Sequence, residues 1–357
     1  MTTDNPERSI ILRPDAQIER AVSGKSCIVA AMIDEALSLA RQEQALEARK
    51  FRIGQYEWCE PDYQQIIIWA KALSLKPEEV VHRLLEGKMP RFVQSGDAEW
   101  TKTVFADGKL RRLNWNFDLL PIESFEWVDG LALTHLALFR PGLQSKRIPE
   151  MSFRLPALTH LLCNRVGLSE IDLSSVPKLK CLNLGWENLT TLDISSVPQL
   201  TYLCCGETQI TKLDLSNVPT LTSLVLEANQ LTELDLSNVP MLKALHCAAN
   251  ELTELEFTKV PMLTTLWCHM NRITKLKFSE MPMLTELCCW VNELTELNLS
   301  NIPMLTELDC GTNKLTELDI RALQHLTKLR YDADATRLIH RSDQDVQRML
   351  ESFYSRE

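Results

Sequence analysis

Slid against itself, the chain repeats every 21 residues: LTELDLSNVPMLKALHCAAN is followed, after Glu251, by LTELEFTKVPMLTTLWCHMN. Nine copies run without insertion, led by Leu158, Leu179, Leu200, Leu221, Leu242, Leu263, Leu284, Leu305 and Leu326, each with a second leucine three residues on. Looser copies led by Leu110 and Leu133 keep the leucine spacing with longer connections, so the array of about 11 repeats starts near Lys109. A fixed period of this length leaves few folds open. One repeat cannot bury its own apolar face, so the copies must stack and share a continuous core.

Each copy reads L-x-x-L-x-C/L-x-x-N-x-L and then T-x-L-D-L-S-x-V-P, one short strand followed by an irregular return segment. The expected fold is an α/β repeat solenoid, a horseshoe with parallel strands on its concave face and irregular segments on its convex face. The inward positions two residues past the second leucine are Cys163, Leu184, Cys205, Leu226, Cys247, Cys268, Cys289, Cys310 and finally Tyr331. Thiols there pack as small apolar groups. Asn229, Asn250, Asn271, Asn292 and Asn313 close the strands and are expected to hydrogen-bond the turn backbone, while Val166, Glu187 and Thr208 stand at that position in earlier copies.

This pattern resembles the 21-residue leucine-rich repeats of bacterial proteins, and its Cys-x-x-Asn strand ending is similar to internalin J-type repeats, in which stacked cysteines form a ladder. The resemblance covers roughly two-thirds of the chain. It implies the horseshoe and a recognition role. The first residues lack the order of a secretory signal and the sequence has no wall-sorting tail, so a surface-adhesin role is not expected to carry over. With 11 cysteines, an odd count, the expected setting is cytoplasmic with free thiols.

Residues 1–105 read as a helical head with three segments: CIVAAMIDEALSLARQEQALEA, EPDYQQIIIWAKALSL and KPEEVVHRLLEG. Pro61 and Pro77 suit first-turn positions, and Gly87 suits a stop. The solenoid is expected over 106–336. A capping helix is expected over 337–357, N-capped by Ser342 and running to Phe353. The stretch IIIWAKALSLKPEEVVHRLL is similar to the closing helices of small helix-turn-helix domains, which raises nucleic-acid binding by the head as one alternative. Against it, acidic residues slightly outnumber basic ones in the head, and the whole chain carries a net charge of -10. The plainer reading is an N-terminal cap that also offers a surface to a second protein.

The x positions of the strand face outward and form columns down the concave face. One column runs Leu162, Asn183, Cys204, Val225, His246, Trp267, Cys288, Asp309, Arg330, and its neighbour runs Asn164, Gly185, Gly206, Glu227, Ala248, His269, Trp290, Gly311, Asp332. His246, Trp267, His269, Met270 and Trp290 fall on consecutive strands, so they should lie within a patch about 10–15 Å wide at the ordinary strand spacing. Tyr202 and Trp186 extend it, and Glu286, Glu307, Asp309 and Arg330 form a polar rim. Tryptophan on a face that does not need it structurally is a protein-interface composition. The expected function is therefore recognition of a protein partner, with no cofactor, metal or membrane. His246 and His269 offer at most two ligands to a metal, fewer than zinc requires. A third reading, a thiol enzyme using Cys288 and His269, lacks an orienting group and an oxyanion donor in the sequence pattern.

Overall fold

The computed structural model describes residues 50–86, 102–121, 127–140 and 153–354. Its centre is a 12-stranded sheet running from Val104–Ala106 to Lys328–Arg330. Val104–Ala106 pairs antiparallel with Lys109–Asn116, and every later neighbour is parallel, with the 21-residue period as its register from His160–Asn164 onward. Leu203, Leu224, Leu245, Leu266, Leu287, Leu308 and Leu329 thus sit side by side. The fold is an α/β leucine-rich-repeat solenoid.

Parallel pairing follows from the repeat length. Twenty-one residues cover one strand and one return, so each copy re-enters the sheet in the direction of its predecessor. The leading leucines, the second leucines and Cys163, Cys205, Cys247, Cys268, Cys289 and Cys310 are all buried in one continuous core, with Leu184 and Leu226 in the two intervening turns. Tyr331 only packs against its edge. The convex side is less irregular than the sequence pattern suggests. Glu254–Glu256 pairs with Lys275–Lys277, and Glu317–Asp319 with Arg337–Ile339, as short parallel ladders. Elsewhere an aspartate closes the convex turn: Asp172, Asp193, Asp214 and Asp235 each accept the amide two residues on, from Ser174, Ser195, Ser216 and Ser237.

The asparagines bind each turn to the next. Asn271 Nδ2 donates to the carbonyls of Cys247 and Cys268 at 3.0 and 3.1 Å, and its Oδ1 accepts from Leu252 N at 3.0 Å. Asn229, Asn250, Asn292 and Asn313 make the same set. Glu187 replaces the amide with a buried carboxylate that accepts three backbone amides, Val166, Gly167 and Leu168, at 2.7–2.9 Å. Burial nevertheless raises its pKa to about 7.

Before the sheet lie helices α1 (Glu60–Leu73) and α2 (Pro77–Glu86), with Pro61 and Pro77 in their first turns. The first expected helix and Gly87 fall outside the described residues. Lys50–Ile53 and Tyr56–Cys59 form an antiparallel hairpin, which corrects the all-helical expectation for the head. Its turn is made by Gly54 at φ 60° between alternating apolar residues, a hairpin signal overshadowed by the helical patterns on both sides. Trp69 packs on Trp115 and Trp127 at 4.8 and 6.1 Å, so the helix pair turns its apolar side to the first repeat. Asp62 Oδ1 accepts Leu110 N at 2.7 Å inside that contact.

At the other end α3 (Val346–Tyr354) covers the last turn. Ser342, the cap expected from the sequence, does not cap it. Asp345 does, through a 3.1 Å bond from Arg348 N, because the chain first closes a turn in which Gln344 reaches the carbonyls of Ile320 and Leu323.

Candidate functional site

Three outward columns cross the concave sheet between Tyr202 and Trp290. The first holds Tyr202, Ser223, Ala244, Thr265 and Glu286, and the second Cys204, Val225, His246, Trp267 and Cys288. The third, Gly206, Glu227, Ala248, His269 and Trp290, follows just past the strands, where Ala249 N donates to His269 O and Met270 N to Trp290 O.

The aromatic residues meet in two stacks. His246 lies on Trp267 with centroids 4.2 Å apart and planes within 9°. His269 lies on Trp290 at 4.9 Å and 11°. Each stack follows from register: neighbouring turns put rings about 4.8 Å apart with the same rotameric freedom, so they lie face to face. Trp267 Nε1 donates to Glu286 Oε1 at 2.9 Å, which fixes the indole. The Arg330 guanidinium crosses the position of Gly311 to lie over Trp290, 5.9 Å from the ring centre. A Cβ on Gly311 would stand 3.7 Å from the Arg330 side chain.

Burial holds the pKa of His246 below its usual value, with a further lowering by His269, and burial lowers His269 as well. Both imidazoles are therefore neutral near pH 7. Glu227 sits 3.9 Å from His246 Nδ1, and its pKa is raised by burial and then by Glu207. At the C-terminal rim the charges are matched: Lys328 pairs with Glu307, and Arg330 with Asp309 at 3.4 Å.

The structure does not bring every expected residue into the patch. Met270 and Trp186 occupy a left-handed turn position just beyond the third column, at φ 55° and 59°. Met270 is exposed there, and Trp186 carries Arg165 over its ring at 5.2 Å. Val225 and Tyr202 lie on the sheet, one and two turns before His246. Glu227 stands in an outward column of the sequence but is left out of the expected patch, because its approach to His246 depends on the side-chain rotamers.

Cys288 Sγ lies 3.5 Å from His269 Nδ1. The pair is not an activated one, because burial, and then the charge of Asp309, push the thiol up to about 12 while the imidazole is held neutral. The ten described cysteines are all free. Among the described residues no helix is long and apolar enough to cross a membrane.

No family model and no curated protein sequence matches the chain. Solved structures do. The functional domain of InlJ from Listeria monocytogenes, which includes a cysteine ladder, is 27% identical, with 67% of this chain and 56% of that one covered and a TM-score of 0.52. The leucine-rich-repeat ectodomain of the plant membrane receptor kinase GASSHO1/SCHENGEN3 from Arabidopsis thaliana, in complex with CASPARIAN STRIP INTEGRITY FACTOR 2, has a TM-score of 0.53 at 18% identity, covering 77% of this chain and 36% of that one. The chain has the leucine-rich-repeat fold. It spans just over half the InlJ chain it matches, and its own cysteine ladder is the feature it shares with that domain.

Proposed function

We propose that the chain is a non-enzymatic recognition module that captures a protein partner on its concave face. One observation carries this reading: two partly exposed ring stacks, His246–Trp267 and His269–Trp290, stand on the sheet face opposite the continuous core, well along the sheet from the small apolar cluster of Ala137, Phe139 and Leu162. Neither tryptophan is needed to fill that core, and large rigid rings held in place beside small residues such as Ala244 and Thr265 form an interface anchor. The compensated pairs Glu307–Lys328 and Asp309–Arg330 bound the anchor and set partner register more than affinity.

In this reading the module works as an adaptor or as a regulatory or substrate-presenting subunit, and the N-terminal cap is free to contact a second protein. The setting is a reducing, cytoplasmic one, which suits three half-buried thiols, Cys181, Cys204 and Cys288. The test is affinity capture by the full chain from an extract of its own cells, against Trp267→Ala/Trp290→Ala and against an exposed convex control, Asn238→Ala. A protein retained by wild type and control but lost by the double variant is the expected result. The same proteins retained by all three would refute the reading.

A further inference from the structure

The two ring stacks differ in one respect. Trp290 is enclosed on both faces, by His269 and by the Arg330 guanidinium. Trp267 has His246 on one face, and no ring or guanidinium of the described residues covers the other, which looks along the column toward the small Cys288. Its indole is nonetheless fixed in place by Glu286, whose Oε1 accepts a hydrogen bond from Nε1. Among the described residues, Glu286 Oε2 makes no hydrogen bond.

The charge on this part of the sheet is one-sided. The three columns from Tyr202 to Trp290 contain two carboxylates, Glu227 and Glu286, and no lysine or arginine. Exposed Glu207 adds a third acid at the turn beside Gly206. The nearest cations of the sheet, Lys328 and Arg330, are engaged with Glu307 and Asp309, and Lys243 lies at the strand edge, outside the columns. An aromatic face with carboxylates at its rim and no cation of its own attracts a planar cation, by the ring quadrupole and by charge-assisted hydrogen bonds.

We propose that the partner segment bound on this face is basic, and that one of its arginines lies over Trp267 and donates to Glu286, repeating in trans the arrangement that Arg330 makes on Trp290. Arginine fits better than lysine because a flat guanidinium stacks on the indole while its edge reaches the carboxylate. This inference rests on the concave-face reading above and specifies its ligand.

The test is selection from a random dodecapeptide phage library on the immobilised full chain, in parallel with Trp267→Ala. A selected peptide is then resynthesised with each arginine replaced in turn by citrulline, its uncharged near-isostere. The expected result is arginine enrichment in the peptides that Trp267→Ala fails to retain. Binding by titration calorimetry should weaken about tenfold both for one citrulline substitution and for Glu286→Gln. The Glu286→Gln arm removes the charge and keeps the indole, so the test does not depend on how well Trp267→Ala folds. Peptides that need Trp267 but show no arginine enrichment, or that bind Glu286→Gln unchanged, would overturn the arginine inference and leave the concave site standing. Peptides indifferent to Trp267→Ala would overturn the site itself.

Discussion

Replacing Asn271 by alanine tests what holds one turn of the solenoid to the next. The side chain donates to the carbonyls of Cys247 and Cys268 and accepts from Leu252 N, so it joins its own turn to the preceding one through groups that are buried. Truncation leaves the Leu252 amide without a partner, while the carbonyls of Cys247 and Cys268 keep the side-chain amides of Asn250 and Asn292; a buried group left unpaired costs about 1–3 kcal/mol. With the hydrogen bonds to the two carbonyls also lost, and allowing for some relaxation and water entry, the expected loss is about 2 kcal/mol. Asn271→Asp keeps the volume and the acceptor but sets a negative charge against carbonyl oxygens, so it should destabilise at least as much as alanine. Exposed Asn217, bonded only to the neighbouring Ser216 hydroxyl, should lose less than about 0.5 kcal/mol as alanine. Urea unfolding followed by tryptophan fluorescence and far-UV circular dichroism measures all three, with a lowered midpoint at constant slope as the expected form. Asn271→Ala within about 0.5 kcal/mol of wild type, or Asn271→Asp milder than alanine, would refute the reasoning.

Glu187 should give stability a pH dependence opposite to that of an ion-paired carboxylate. Its folded pKa of about 7 lies above the ordinary 4.5, so between those values the native state holds a proton that the unfolded chain has released, and stability falls as pH rises through that window. Urea midpoints for wild type minus Glu187→Asn across pH 4.5 to 7 should show this fall; a difference that rises with pH would contradict it. Alkylation of the native protein with N-ethylmaleimide should spare the ladder thiols Cys163, Cys205, Cys247, Cys268, Cys289 and Cys310, whose pKa values burial raises, and label them only after unfolding. Mass spectrometry of digests reads this directly, and rapid native labelling of the ladder would place those side chains outside the core. Asp345→Ala should remove the cap of the last helix and cost about 1 kcal/mol by thermal or urea unfolding, whereas Ser342→Ala should cost little. The reverse order would restore Ser342 as the cap.

The solenoid is legible in the sequence because stacking gives position after position the same surroundings. Leu245, Cys247 and Asn250 meet what Leu266, Cys268 and Asn271 meet one turn later, so the period alone fixes which side chains face inward. The outward columns follow from the same register, and with them the neighbourhood of His246, Trp267, His269 and Trp290. What breaks the period is harder to read. Glu187 looks like a lapse in the asparagine column, and only coordinates reveal a carboxylate reaching back to three amides of the preceding turn. Met270 and Trp186 lie one residue past the outward columns, where a left-handed backbone turns them to the rim. The bond from Trp267 to Glu286 and the passage of Arg330 across Gly311 depend on side-chain rotamers, which no pattern of residue types encodes. The hairpin before α1 has too few residues to compete with the helical signals flanking it.

The central claim is that the partner sits on the concave sheet beside the ring stacks. The most direct measurement is photo-crosslinking in the native extract, with p-benzoylphenylalanine replacing Ser223 on the sheet in one variant and Asn238 on the convex side in another. Ser223 is half-buried beside Tyr202 and Ala244 in the first column, and Asn238 is exposed. A discrete adduct from the Ser223 variant alone, lost when Trp267→Ala is added, is the predicted result. Adducts of equal yield from both variants, or from the Asn238 variant only, would contradict the account.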